Sequence, residues 1–131
     1  MAKRINSRAK GKRSELEARD LLRRCGITDA ERGARNGVKS GADIHSPMLA
    51  ANGWRVEVKN VAGVRLRNSL WWGAIEQAEG DTRPEHSWFM LWRPCRGEWA
   101  LTYIGDYGYT TIGGYEAIRE WIEDTIILEV K

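Results

Sequence analysis

Residues 54–60 read "WRVEVKN". Apolar Trp54, Val56 and Val58 alternate with charged Arg55, Glu57 and Lys59, and this period of two predicts a half-buried β-strand. A strand repeat of two also sets Glu57 and Lys59, an acid and a base, on one face. A solvated sheet edge would account for such a face taken alone, so the flanking segments decide whether it carries chemistry.

Just upstream, "ADIHSP" (42–47) predicts a short strand, and "MLAANG" (48–53) a turn-rich connection. An antiparallel hairpin centred on Ala50 sets Asp43 opposite Glu57, and directly opposed residues point to the same side of a sheet. A one-residue slip would send Asp43 to the other face. Two adjacent carboxylates raise each other's pKa, and a divalent cation reverses that penalty. Carboxylate oxygens are the hard ligands that Mg²⁺ selects, and Mg²⁺ keeps waters, one of which can serve as nucleophile. Lys59 on the same face can orient or deprotonate that water and offset charge on a phosphorane-like transition state.

Further out, "SELEARDLLRRCG" (14–26) predicts a helix with Ser14 as N-cap, Glu15 and Glu17 in its first turn and Gly26 past its end. Its apolar stripe is Leu16, Ala18, Leu21, Leu22 and Cys25, and Glu15 borders that stripe. Residues 27–41 start with a possible short strand and become a Gly-rich basic loop whose Arg32, Arg35 and Lys39 suit phosphate contacts, as do Arg65 and Arg67 after the "EVK" strand. "SLWWGAIEQAEGD" (69–81) reads as a helix capped by Ser69, with Leu70, Ala74, Gln77 and Ala78 on one face. Trp71 and Trp72 are expected in the core or at a dimer surface. "HSWFMLWRP" (86–94) is the apolar run of a strand covered on both sides, and "EWALTYI" (98–104) pairs with it across "CRG". "TIGGYEAIREWIED" (111–124) predicts a helix with Tyr115, Ile118, Trp121 and Ile122 inward, and "TIILEV" (125–130) an edge strand. This order implies an α/β domain on a mixed central β-sheet flanked by helices.

A chain of 131 residues fits one domain. Its net charge is only +3, yet residues 1–14 carry Lys3, Arg4, Arg8, Lys10, Lys12 and Arg13 without an acid, which leaves the rest at −3 once those six are subtracted. Residues 1–13 are therefore expected to be a flexible basic arm suited to a polyanion, and residues 14–131 a single domain. No run approaches a membrane span and no apolar signal core opens the chain, so an intracellular protein is expected. Cys25 and Cys95 lack metal-type spacing and are expected as free thiols; with His45 and His86 isolated, zinc is disfavoured.

Glu15, "GAD" with Asp43, and "EVK" with Glu57 and Lys59 together resemble the PD-(D/E)xK nuclease superfamily. Within it the series is most similar to the archaeal and phage Holliday junction resolvases: "KGKRSE" matches their Lys-Gly, three residues, then Glu, Gly26 matches a Gly at the helix end, and Glu76, Gln77 and Ala78 match a later Glu-Gln-Ala. The likeness spans residues 10–95, with Ala42 standing where Pro is common before the Asp and Glu17 competing with Glu15 for the helix role. It implies a restriction-endonuclease-like core and a Mg²⁺-dependent endonuclease, with Mn²⁺ able to substitute. It further implies a homodimer acting on branched DNA in recombination or repair. Asp43 and Glu57 would bind metal, Glu15 would complete the shell, Lys59 would assist the water, and Gln77 would hydrogen-bond the lysine or the scissile phosphate. A same-fold nuclease with a restriction-like, repair or flap substrate, an inactive DNA-binding module and an RNA-binding protein are the rival readings.

Overall fold

A computed structural model describes residues 7–33, 43–59, 64–94 and 97–128. Helix α1 spans Ser7–Arg24, followed by β1 (Glu31–Arg32), β2 (Ile44–His45), α2 (Pro47–Ala51) and β3 (Trp54–Lys59). Then come α3 (Ser69–Asp81), β4 (Ser87–Trp92), β5 (Ala100–Gly105), β6 (Gly108–Gly113), α4 (Tyr115–Ile122) and a π-helical segment, Glu123–Ile127. Among the described residues the strands form one six-stranded sheet in chain order, parallel at β3–β4 and antiparallel elsewhere. The protein is thus α/β, a mixed sheet flanked by helices, as expected.

β5 and β6 are joined tightly through Asp106 and Tyr107, whereas the parallel β3–β4 step needs a crossover, which α3 supplies. Ile44 is the Cα partner of Val56, the register that a hairpin centred on Ala50 requires. On one face of the sheet, α1, α2 and α4 bury Leu22, Leu49, Ile118 and Ile122 against Val56, Phe89, Leu91 and Leu101. On the other, α3 buries Trp71, Ala74, Ile75 and Ala78 against Trp88, Met90 and Trp92. β4 is therefore covered on both sides, which explains its unbroken apolar run.

Several elements differ from expectation. α1 begins at Ser7, so residues 7–13, read as flexible arm, are helical, and Ser14 is a buried interior residue and not the N-cap. The segment has no Pro, one Gly and several Lys and Arg, which propagate a helix well. Asn68, not Ser69, caps α3: its Oδ1 accepts from the Trp71 N–H at 2.9 Å. Leu70 and Gln77 lie on the exposed side of α3 and Trp71 and Ile75 inside, so the buried face is rotated from the one read. "MLAANG" belongs largely to α2, for which Ser46 as N-cap and Pro47 at N1 were the available signals. Residues 111–113, expected to open the last helix, instead end strand β6. Residues 125–127, read as an edge strand, continue α4 as π-helix, because Ile118, Ile122 and Ile126 keep one helical stripe in the core.

The two helical ends interlock. Gly26, at φ +109°, turns the chain out of α1, and a Cβ there would strike the Ile127 side chain. The Tyr115 hydroxyl donates to the Arg24 carbonyl at 3.2 Å, and the Arg24 guanidinium lies 4.4 Å over the Tyr115 ring. Cys25 is buried and free, and burial pushes its thiol up to about 11, as an inert core cysteine. Cys95 lies outside the described residues. Among the described residues no helix is long and apolar enough to cross a membrane.

Candidate active site

The β2–β3 hairpin positions the first pair. Asp43 immediately precedes β2, where its carbonyl accepts from the Gly33 N–H at 2.9 Å and its Oδ2 from the Val58 N–H at 2.8 Å. With Ile44 opposite Val56, Asp43 stands across from Glu57 on the α3 side of the sheet. Glu57 is only 7% exposed, and its Cα partner on β4 is Met90. A solvated sheet edge is therefore not its environment.

Burial first, and then the neighbouring Asp43 carboxylate, push the Glu57 carboxyl up to about 7. Arg55, whose Nε donates to Glu57 Oε1 at 2.8 Å, opposes that rise without cancelling it. The pair thus sets two carboxyl groups side by side where burial disfavours ionising both. A hard divalent cation with retained waters fits this donor set, since Mg²⁺ is commonly held by one or two carboxylates. Asp43 and Glu57 are the residues that would hold it. Lys59 is half-buried on the same strand face, two residues beyond Glu57 and opposite Trp92 on β4.

Other expected members are not brought to this pair. The Glu15 carboxylate accepts from Arg32 Nε at 2.8 Å. Arg32 is the Cα partner of Ile44, so this ion pair lies toward the α1 side of the sheet. Glu17 is engaged by Arg93, with Nη2 at 2.6 Å, and Arg93 stacks over Trp99. Of the two acids Glu15 is the one tied to the β1–β2 segment. Among the described residues no group of three or more His, Cys, Asp or Glu is arranged to hold a metal. Gln77 is exposed on α3.

The expected phosphate contacts are dispersed. Lys12, Arg13, Arg65 and Arg67 are exposed, and Arg67 adopts φ 65° with its guanidinium 5.9 Å from the Trp72 ring. Arg32 is committed to Glu15. Arg8 and Lys10 fall in the first turns of α1, and Lys3, Arg4, Arg35 and Lys39 lie outside the described residues. Sequence reading missed Arg55 as a site residue, although its spacing of two from Glu57 places both on one strand face. It also missed a buried polar chain across the sheet: Trp92 Nε1 donates to Thr102 Oγ1 at 2.9 Å, and Thr102 and Thr111 share a hydroxyl contact at 2.8 Å.

Compared with protein-family models, curated proteins and solved structures, the chain matches none of them.

Proposed function

We propose that the protein is a Mg²⁺-dependent, structure-selective DNA endonuclease on a restriction-endonuclease-like core, hydrolysing phosphodiester bonds at four-way junctions as a Holliday junction resolvase. The observation that carries the reading is buried Glu57 paired with half-buried Asp43, with Lys59 on the same strand face. Opposed carboxylates in a hydrophobic sheet cost stability, and metal-assisted phosphoryl chemistry explains their retention.

In this mechanism Asp43 and Glu57 would hold the cation, which when bound would supply Lewis-acid polarisation of the phosphate and an activated water. The Val58 N–H fixes one Asp43 oxygen, and Arg55 fixes one Glu57 oxygen, so both carboxylates are oriented before substrate arrives. Lys59 orients the attacking water and stabilises the charge that develops on the phosphate oxygens. Paired cuts across a junction call for two copies of the site, hence a homodimer. Intracellular branched DNA, of host or phage, is the substrate proposed.

The capture of Glu15 by Arg32 and the exposure of Gln77 favour a second reading, a DNA-binding module without the reaction. The deciding experiment incubates the protein with a four-way junction, a linear duplex and a flap, each with Mg²⁺ and with EDTA. Paired nicks in the junction only, lost in EDTA, are expected. Cutting of duplex or flap instead would reassign the substrate, and tight junction binding without cutting would favour the module.

A further inference from the structure

The hairpin register that opposes Asp43 and Glu57 also sets His45 opposite Arg55, one strand repeat away on the same face. At that end of β3 lies a cavity of about 240 Å³ between α2 and the turn that leads into β4, lined among others by His45, Arg55, Asp81, Arg83 and His86. The turn is built for this. The His86 N–H donates to the Arg83 carbonyl at 2.9 Å, closing a β-turn with Pro84 second, and the Ser87 N–H donates to the Gly53 carbonyl at 2.7 Å, docking the turn on the start of β3. His86 Cδ2 lies 3.5 Å from where a Cβ on Gly53 would stand, so the ring is seated against the backbone there.

The cavity's chemistry is one-sided. Its one lining acid, Asp81, is half exposed to solvent and lies 3.9 Å from Arg55 Nη2, a guanidinium it shares with Glu57. Arg83 adds a full positive charge and a planar array of donors, and each imidazole, even when neutral, offers one N–H. A tetrahedral oxyanion satisfies such a set. Two residues along a strand span about 6.6 Å, comparable with the spacing of successive phosphates along one nucleic-acid strand.

We propose that this cavity is a phosphate-binding subsite in which Arg83, His86 and His45 receive the phosphate next to the one handled at Asp43 and Glu57. Its adjacency to a cleaved phosphate rests on the nuclease reading; the phosphate subsite itself does not.

The test uses the full wild-type chain in EDTA, without divalent cation, and follows the histidine side-chain NMR signals during titration with inorganic phosphate. The chain has two histidines, and both line this cavity. Both signals are expected to shift along one saturable curve. Arg83→Ala should raise its midpoint about tenfold, the loss of one charge-assisted contact, while Arg83→Lys recovers part of that and Arg119→Ala, on α4, changes nothing. Absence of saturable shifts, or a midpoint unmoved in Arg83→Ala, overturns the subsite. A trinucleotide with a 5′-hydroxyl that produces the same shifts assigns the site to backbone phosphates. A nucleoside 5′-monophosphate acting alone overturns that assignment in favour of a terminal phosphate. Cleavage is not read here, so the subsite and the nuclease reading can fail separately.

Discussion

On one face of the central sheet β3, β4 and β5 contribute Val56, Phe89, Leu91 and Leu101; on the other, the residues between them contribute Glu57, Met90 and Thr102. The first face is apolar at these positions and closed by α1, α2 and α4. The second, under α3, is apolar along β4 and polar on both sides of it. Its two polar flanks differ in turn. Thr102 and Thr111 satisfy each other and Trp92, so their burial costs little. Asp43 and Glu57 are two acids held together, and burial, then the neighbouring Asp43, raises the Glu57 carboxyl, so ionising it carries a cost. Since the same strands build both faces, the unbalanced flank is a property of particular side chains and not of the fold, which makes it the place to look for chemistry.

The sharpest break between the faces is expected from paired substitutions. Asp43→Asn or Glu57→Gln should lower junction cleavage about 10³-fold or more while the protein stays folded and binds DNA at least as tightly. Leu91→Ala, on the opposite face, should cost about 2–5 kcal/mol of stability and leave cleavage per folded molecule unchanged. Denaturant melts beside single-turnover assays measure both; a carboxylate variant that unfolds would make the pair structural. Lys59→Ala should slow the chemical step about 10²-fold without moving the Mg²⁺ concentration for half-maximal rate, and an unchanged rate would remove it from the mechanism.

The pH dependence sharpens the contrast further. Because folding raises the Glu57 carboxyl from 4.5 to about 7, its contribution favours the folded state below pH 4.5 and is lost as pH rises through 7. Metal-free wild type and Glu57→Gln should therefore be equally stable near pH 4, with the variant ahead by on the order of 2–3 kcal/mol at pH 8. Mg²⁺ should close that gap in thermal melts by stabilising wild type alone. On the balanced flank, Thr111→Val should cost only about 1 kcal/mol at every pH, with activity intact.

How much of this was legible beforehand depended on how local the deciding interaction is. The period of two in residues 54–59 and the short span around Ala50 fixed the β2–β3 register, and with it the opposition of Asp43 and Glu57. The apolar run of β4 announced its double cover. Arg32 taking Glu15 was not legible, because seventeen positions separate partners that meet only when β1 docks on α1. Residues 125–127, with β-branched Thr125, Ile126 and Ile127, locally favour a strand, and tertiary contact with α1 overrides that. β6, Gly-Tyr-Thr-Thr-Ile-Gly, has too weak an alternation to stand out before β5 is there to pair with it.

The interlock between Gly26 and Ile127 bears on how the protein is made. α1 is the first described helix to leave a ribosome, and although β1 and β3 cover part of it, the core it joins is completed only by Tyr115, Ile118, Ile122 and Ile126. Synthesis runs N-terminus first, so α1 must wait through about a hundred residues of elongation at about 5–20 residues per second before the last of its partners emerge. During those seconds Leu21, Leu22 and Ile27 are without their final cover, and a nascent chain stalled before residue 118 would present them to chaperones, not to a finished core.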